Sequence, residues 1–313
     1  MSRIRLVTSF SLALVAAAGL CLAQTPDGWT ARQPPQYVNR SGSIGVSGKI
    51  FVFGSDGSNG SPSSRAYNAA SNQWATLAPT PIPVAAPAVA AVNGLIYVIG
   101  GYNPANGGEY SPSPNQVYNP STDSWSSAAS PSVARSFASA QAVGGKIYLI
   151  GGCVLSCVSK TSETEQFDPA TAVWTTMASM RTSRGGMGSV VAGGLIYVIG
   201  GGDSNGVYLT TTETYDPSTN VWTTKAPMPT ARGEFGAALQ QGKIYAFGGV
   251  NPGGYLSTNE VYDPSSDTWA ESTPLPVTMG GNTGAVAYGS AYSIGCNRSD
   301  SCAQQANYRL DRR

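Results

Sequence analysis

The sequence predicts an all-β fold, a six-bladed β-propeller of four-stranded antiparallel blades whose last blade is closed by the N-terminal strand. Three linked observations predict it. Tryptophan recurs at Trp29, Trp74, Trp125, Trp174, Trp222 and Trp269, at spacings of 45, 51, 49, 48 and 47 residues. An apolar run ending in glycine keeps the same period. Between the two lies a recurring aromatic-Asp/Asn-Pro turn. Self-similarity at such a period marks a repeat architecture, and about 48 residues suits one four-stranded blade.

The elements of each unit follow in order. The first strand is built of small residues, as in Ser136-Phe-Ala-Ser-Ala-Gln-Ala-Val143 and Gly185-Gly-Met-Gly-Ser-Val-Val191. Small side chains suit a strand crowded near a central axis. The second strand is Lys49-Ile-Phe-Val-Phe-Gly54, Leu95-Ile-Tyr-Val-Ile-Gly-Gly101, Lys146-Ile-Tyr-Leu-Ile-Gly-Gly152, Leu195-Ile-Tyr-Val-Ile-Gly-Gly201, Lys243-Ile-Tyr-Ala-Phe-Gly-Gly249 and the degraded Ser290-Ala-Tyr-Ser-Ile-Gly295. The third ends at Tyr67-Asn68, Tyr118-Asn119-Pro120, Phe167-Asp168-Pro169, Tyr215-Asp216-Pro217 and Tyr262-Asp263-Pro264. The fourth carries the tryptophan. Clusters of Pro, Asn, Asp and Gly separate them, and no stretch keeps a helical period. The last unit ends before its tryptophan, and Pro26-Asp-Gly-Trp29 supplies it. The blades are then residues 40–78, 85–129, 135–179, 184–227, 232–274, and 280–313 together with 24–33, all in one domain spanning 24–313.

The order of small-residue strand, Ile-Tyr-Val-Ile-Gly-Gly, Glu-x-Tyr-Asp-Pro and Trp resembles the kelch repeat, in a propeller like the central domain of galactose oxidase. The resemblance covers residues 24–313. The first blade departs from it with Gly54-Ser55, and the last with Gly295-Cys296 and Leu310 in the tyrosine column. It implies a binding face at the loops between strands two and three.

Residues 1–23 read as a secretory signal peptide. Arg3 and Arg5 precede an apolar run from Leu6 to Leu20, and small residues surround a cleavage point before Gln24. The run is short for a membrane span, which needs about 20 residues. The expectation is a secreted or periplasmic protein with no membrane span after signal removal. Loss of Arg3 and Arg5 takes 18 basic residues to 16 against 17 acidic, a net charge of −1. With only 11% charged residues, the chain is not built for nucleic acid.

Four cysteines remain after Cys21. Cys153 and Cys157 follow one glycine pair, and Cys296 and Cys302 occupy the equivalent loop three blades on, across the ring. Local disulfides Cys153–Cys157 and Cys296–Cys302 follow, rather than one metal site sharing four thiolates. Asn39-Arg-Ser41 and Asn297-Arg-Ser299 are sequons that matter only in a eukaryotic secretory pathway.

In an antiparallel blade the loop between strands two and three shares a face with the segment leading into strand one. That face receives Tyr102, Asn103, Tyr110, Asp203, Asn205, Tyr208, Asn251 and Tyr255, and an arginine that recurs at Arg40, Arg135, Arg184 and Arg232. Arginines around a channel mouth could grip an acidic ligand bidentately. They could equally pair with the recurring Glu165, Glu213 and Glu260 of their own repeats.

The chain has no histidine. That excludes a Ser-His-Asp triad, a Cys-His dyad, histidine-held metals and the copper chemistry of galactose oxidase. No nucleotide motif is present, and no cofactor or metal is expected. Two readings remain. One is a non-catalytic, monomeric binding module for a protein, peptide or glycan, with Arg40, Arg135, Arg184, Arg232, Tyr102, Asn103, Tyr208 and Tyr255 as candidate contacts. The other is a sugar-processing enzyme resembling the exported sialic-acid mutarotases, with Arg184, Arg232 and Glu234 as ligands and general acid/base.

Overall fold

The structure, a computed structural model, describes residues 28–35, 38–54, 64–296 and 305–311. The signal-peptide segment, Cys302 and the second sequon lie outside the described residues. Six four-stranded antiparallel sheets stand around one axis, and no helix occurs among the described residues. The innermost strands touch in ring order and the sixth returns to the first.

Blade 4 shows the plan, with strands Gly188–Ala192, Leu195–Ile199, Thr212–Asp216 and Val221–Lys225 running from axis to rim. The innermost strands begin three residues later than their small-residue patterns suggest, at Ser139 and Gly188, because Phe137 and Gly186 take positive φ and interrupt the extended backbone. Strands one and two are joined by two-residue turns with both residues at positive φ, such as Asn93-Gly94 and Gln241-Gly242. That is the turn whose twist matches a β-hairpin.

The apolar second strands are buried on both faces because each blade is covered by its two neighbours. Ile50, Phe51, Val52 and Phe53 are all buried. Tyr148 and Ile150 of blade 3 meet Ile196, Val198 and Tyr215 of blade 4, and equivalent clusters fill the other interfaces. The tryptophans bolt blade to blade. Each indole N–H donates to a carbonyl of the preceding linker: Trp29 to Thr273, Trp74 to Gln33, Trp125 to Ala78, Trp174 to Ala129, Trp222 to Ala178 and Trp269 to Ala226, at 2.8–3.0 Å.

The ring closes as the sequence predicts. Trp29–Ala31 is the outer strand of blade 6, with Trp29 opposite Leu310 and Ala31 opposite Tyr308. Trp29 is buried and meets Phe247 edge-on at 5.3 Å.

Candidate functional site

Three of the four recurring arginines do not face a ligand. Arg135, Arg184 and Arg232 have no side-chain exposure and pair with Glu165, Glu213 and Glu260 of their own blades. Arg232 Nη1 also donates to the carbonyls of Gly248 and Thr258, and Arg184 Nη1 to that of Thr211, so each guanidinium ties the segment leading into strand one to the loop between strands two and three. Burial pushes Arg184 down to about 10, against the pull of Glu213. These arginines are scaffold, and the sequence-based assignment of them as ligand or catalytic residues is corrected. The cause is full desolvation, which a guanidinium tolerates only beside a carboxylate.

Arg40 belongs to a different column. The position of Arg135, Arg184 and Arg232 is held in blades 1, 2 and 6 by buried Val38, Val84 and Met279. Arg40 stands two residues further on, equivalent to Ala86, Phe137, Gly186, Glu234 and Gly281. These six make a closed ring of backbone hydrogen bonds at the channel mouth. Arg40 N donates to Gly281 O, Ala86 to Arg40, Phe137 to Ala86, Gly186 to Phe137, Glu234 to Gly186 and Gly281 to Glu234, at 2.6–3.1 Å. All six have positive φ, from 50° to 68°. The left-handed region costs a non-glycine residue about 1–2 kcal/mol. The ring holds Arg40, Phe137 and Glu234 there and so aims their side chains at the mouth.

Above the ring the loops between strands two and three enclose a cup of about 460 Å³ lined by Arg40, Tyr102, Glu109, Phe137, Lys160, Asp203, Tyr208 and Glu234. Below it the innermost strands line a channel cavity of about 450 Å³. Arg40 Nε lies 3.1 Å from Glu234 Oε2, so Glu234 joins blade 1 rather than nearby Arg232. The Arg40 guanidinium carbon lies 5.5 Å from the centre of the Phe137 ring, and Phe137 stacks on Tyr102 at 5.9 Å. Glu109 accepts hydrogen bonds from Ser136 Oγ, at 3.0 Å, and from Ser156 N. Lys160 Nζ donates to Cys157 O at 3.0 Å. Burial pushes the Lys160 ammonium down, and Asp203 and Glu109 oppose this. Burial pushes the Tyr208 hydroxyl up, with Glu234 and Tyr255 adding to it and Arg40 opposing.

Of the other predicted contacts, Tyr102 and Tyr208 line the cup. Tyr255 is half-exposed at its margin, where its ring lies over Gly280. Asn103 lies in the same loop as Tyr102, where its Oδ1 accepts the Ala105 N–H and holds the turn. The Cys153–Cys157 disulfide is present, and it braces the loop that carries Lys160. Cys296 is disulfide-bonded. The sequon residue Asn39 is buried. Glu109, Phe137 and Lys160 were not singled out from sequence, although Phe137 is a bulky residue in a small-residue run.

Among the described residues no group of three or more His, Cys, Asp and Glu could hold a metal, and no helix is long and apolar enough to cross a membrane.

The architecture defines a six-bladed propeller with a loop cup above its channel. The chain belongs to the kelch-repeat family: the family model described as the KLHDC2/KLHL20/DRC7 Kelch-repeats domain matches residues 41–228 and 137–311. It is 33% identical over 136 residues to alpha-scruin of Limulus polyphemus, covering 41% of this chain and 15% of that protein. It is 32% identical over 87 residues to Kelch-like ECH-associated protein 1B of Danio rerio, covering 28% of this chain and 15% of that protein. The match thus spans only a small part of each relative's length. A solved structure titled "Structure of YjhT" superposes with a TM-score of 0.74 at 16% identity, covering 89% of this chain and 95% of that one, and shows the shared fold.

Proposed function

We propose that this propeller is an exported, monomeric binding module whose peptide, protein or glycan ligand sits in the loop-face cup. One observation carries the reading. Charged and aromatic side chains from five blades converge on one mouth, whereas the recurring polar columns are consumed inside the blades. Concave sites with a few placed polar groups are where proteins bind ligands. Export is supported by the N-terminal sequence pattern and by the Cys153–Cys157 disulfide, since such bonds persist in oxidising compartments. The sugar-enzyme alternative needed Arg184, Arg232 and Glu234 together. Only Glu234 is at the mouth, so that set of three does not assemble.

The test is a peptide and glycan array probed with the purified chain and with a Tyr102→Ala/Tyr208→Ala variant that melts like the parent. Ligands lost in the variant support the cup. Equal binding by both proteins would place the ligand elsewhere and sink the reading.

A further inference from the structure

The side chains of the mouth ring alternate in size. Arg40, Phe137 and Glu234 come from blades 1, 3 and 5, and Ala86, Gly186 and Gly281 from blades 2, 4 and 6. Three long side chains therefore share a mouth that three small residues keep open. Glu234 touches Arg40, Arg40 lies over Phe137, and Phe137 stacks on Tyr102. A carboxylate beside an aromatic face is the arrangement that holds an organic cation, by charge on one side and by the ring quadrupole on the other.

In this structure that cation is the protein's own. The Arg40 and Glu234 side chains keep 38% and 24% exposure, unlike the fully enclosed pairs inside blades 3 to 5. A solvent-facing ion pair contributes little and is readily exchanged. The charges of the cup point the same way. With Arg40 set aside, its lining holds Glu109, Asp203 and Glu234 against Lys160. With three of the expected arginines in the blade interiors, the mouth favours a positive group over a negative one.

Resting on the reading of the cup as a ligand site, we propose that the mouth is a guanidinium-binding site and that Arg40 is the internal occupant which the ligand's guanidinium displaces. The source is an arginine side chain of a peptide or a small free guanidinium compound, and the chemistry of capture is the same for both.

Calorimetry tests this with three probes: ethylguanidinium, the blocked peptide acetyl-Gly-Arg-Gly-amide, and acetate. The proteins are the full chain and its Arg40→Gly, Arg40→Ala and Arg40→Gly/Glu234→Gln variants. Glycine and alanine already stand at this ring position in other blades, so both substitutions suit the backbone there, and binding is read only from variants that melt like the parent. Vacating the site is expected to tighten ethylguanidinium binding about two- to five-fold, in keeping with a weak solvent-facing pair, and Glu234→Gln to remove that gain. A peptide bound tighter than ethylguanidinium identifies a peptide source, and equal affinity a small-molecule one. A folded Arg40 variant that gains nothing for either cation, or that gains acetate instead, overturns the proposal. If array ligands still map to the cup in that case, only the guanidinium assignment fails. If the cation binds but no array ligand maps to the cup, the peptide or glycan module fails and the guanidinium site stands.

Discussion

Arg184 Nη2 lies 3.3 Å from Glu213 Oε1, and neither side chain reaches solvent. Glu213 also accepts the backbone N–H of Arg181 at 2.9 Å. Blade 2 solves the same position without charge. There Val84 replaces the arginine, and Gln116 accepts the N–H of Ile82 at 2.8 Å while returning a hydrogen bond to its carbonyl. Arginine and glutamate therefore occur as a matched pair in blades 3 to 5 and are both absent from blade 2.

This matching predicts strong coupling. Arg184→Val alone leaves a buried carboxylate unpaired and is expected to cost about 3–5 kcal/mol. Arg184→Val with Glu213→Gln copies blade 2 and should recover most of that loss. Urea unfolding of both variants measures it, and a double variant no more stable than the single would refute the coupling.

Blade 3 carries a second matched exception. In blades 1, 2, 4 and 5 a tyrosine hydroxyl donates to an Asx side chain, which also accepts a linker N–H, as Tyr215 and Ala178 do with Asn220. Blade 3 has Phe167 and Ala172 instead, with Ala172 at φ +57°. Ala172→Asn should stabilise the fold by about 1 kcal/mol, because asparagine tolerates the left-handed region. Phe167→Tyr alone buries a hydroxyl without its acceptor and should cost about 1–3 kcal/mol. A double-mutant cycle should show favourable coupling, and simple additivity would count against the pair.

The structural columns were legible because each repeats at one spacing with one chemistry. Trp, the Gly pair and Tyr all fall where periodicity places them, and Trp29 could be assigned to blade 6 from its own short motif. The mouth was less legible because its ring repeats a backbone conformation and not a residue type: Arg40, Ala86, Phe137, Gly186, Glu234 and Gly281 share φ alone. Grouping the arginines by identity put Arg40 in the wrong column. Register would have separated them. Arg135, Arg184 and Arg232 each stand 16 residues before the first glycine of their pair, whereas Arg40 stands 14 before Gly54 and Val38 stands 16. Glu109 and Lys160 occupy loops of unequal length, where no repeat position exists to compare.

Closure by Trp29–Ala31 gives a third prediction. Trp29 fills the space beside Phe247 and Leu310, and its N–H reaches Thr273 O. Trp29→Ala should lower stability by about 3–5 kcal/mol, the usual cost of emptying a buried tryptophan site. Deleting residues 24–32 also exposes the edge of Gln305–Leu310. A single melting transition shifted down by either change supports a ring that unfolds as one unit. An unchanged melting curve would show that the closing strand is dispensable.

The alkaline limit of the fold follows from the tyrosine column. Burial pushes Tyr67 up to about 12, with Tyr292 adding to the shift and Arg32 and Arg309 opposing it. Burial likewise pushes Tyr215 up to about 12, with Tyr148 and Asp216 adding. Tyr118 and Tyr262 move in the same direction for burial first and then for their bonds to Asp123 and Asp267. An unfolded tyrosine ionises near 10. Raised values mean that the fold holds the protonated form, so this contribution is complete below pH 10 and is lost as pH rises from 10 towards 12. Unfolding free energy should be flat with respect to these groups from pH 7 to 9 and fall steeply above 10. Phenolate absorbance should show a class of tyrosines that ionises only together with loss of the β-sheet circular dichroism signal. Smooth titration of all tyrosines near pH 10 with the sheet intact would show that the column is open to solvent.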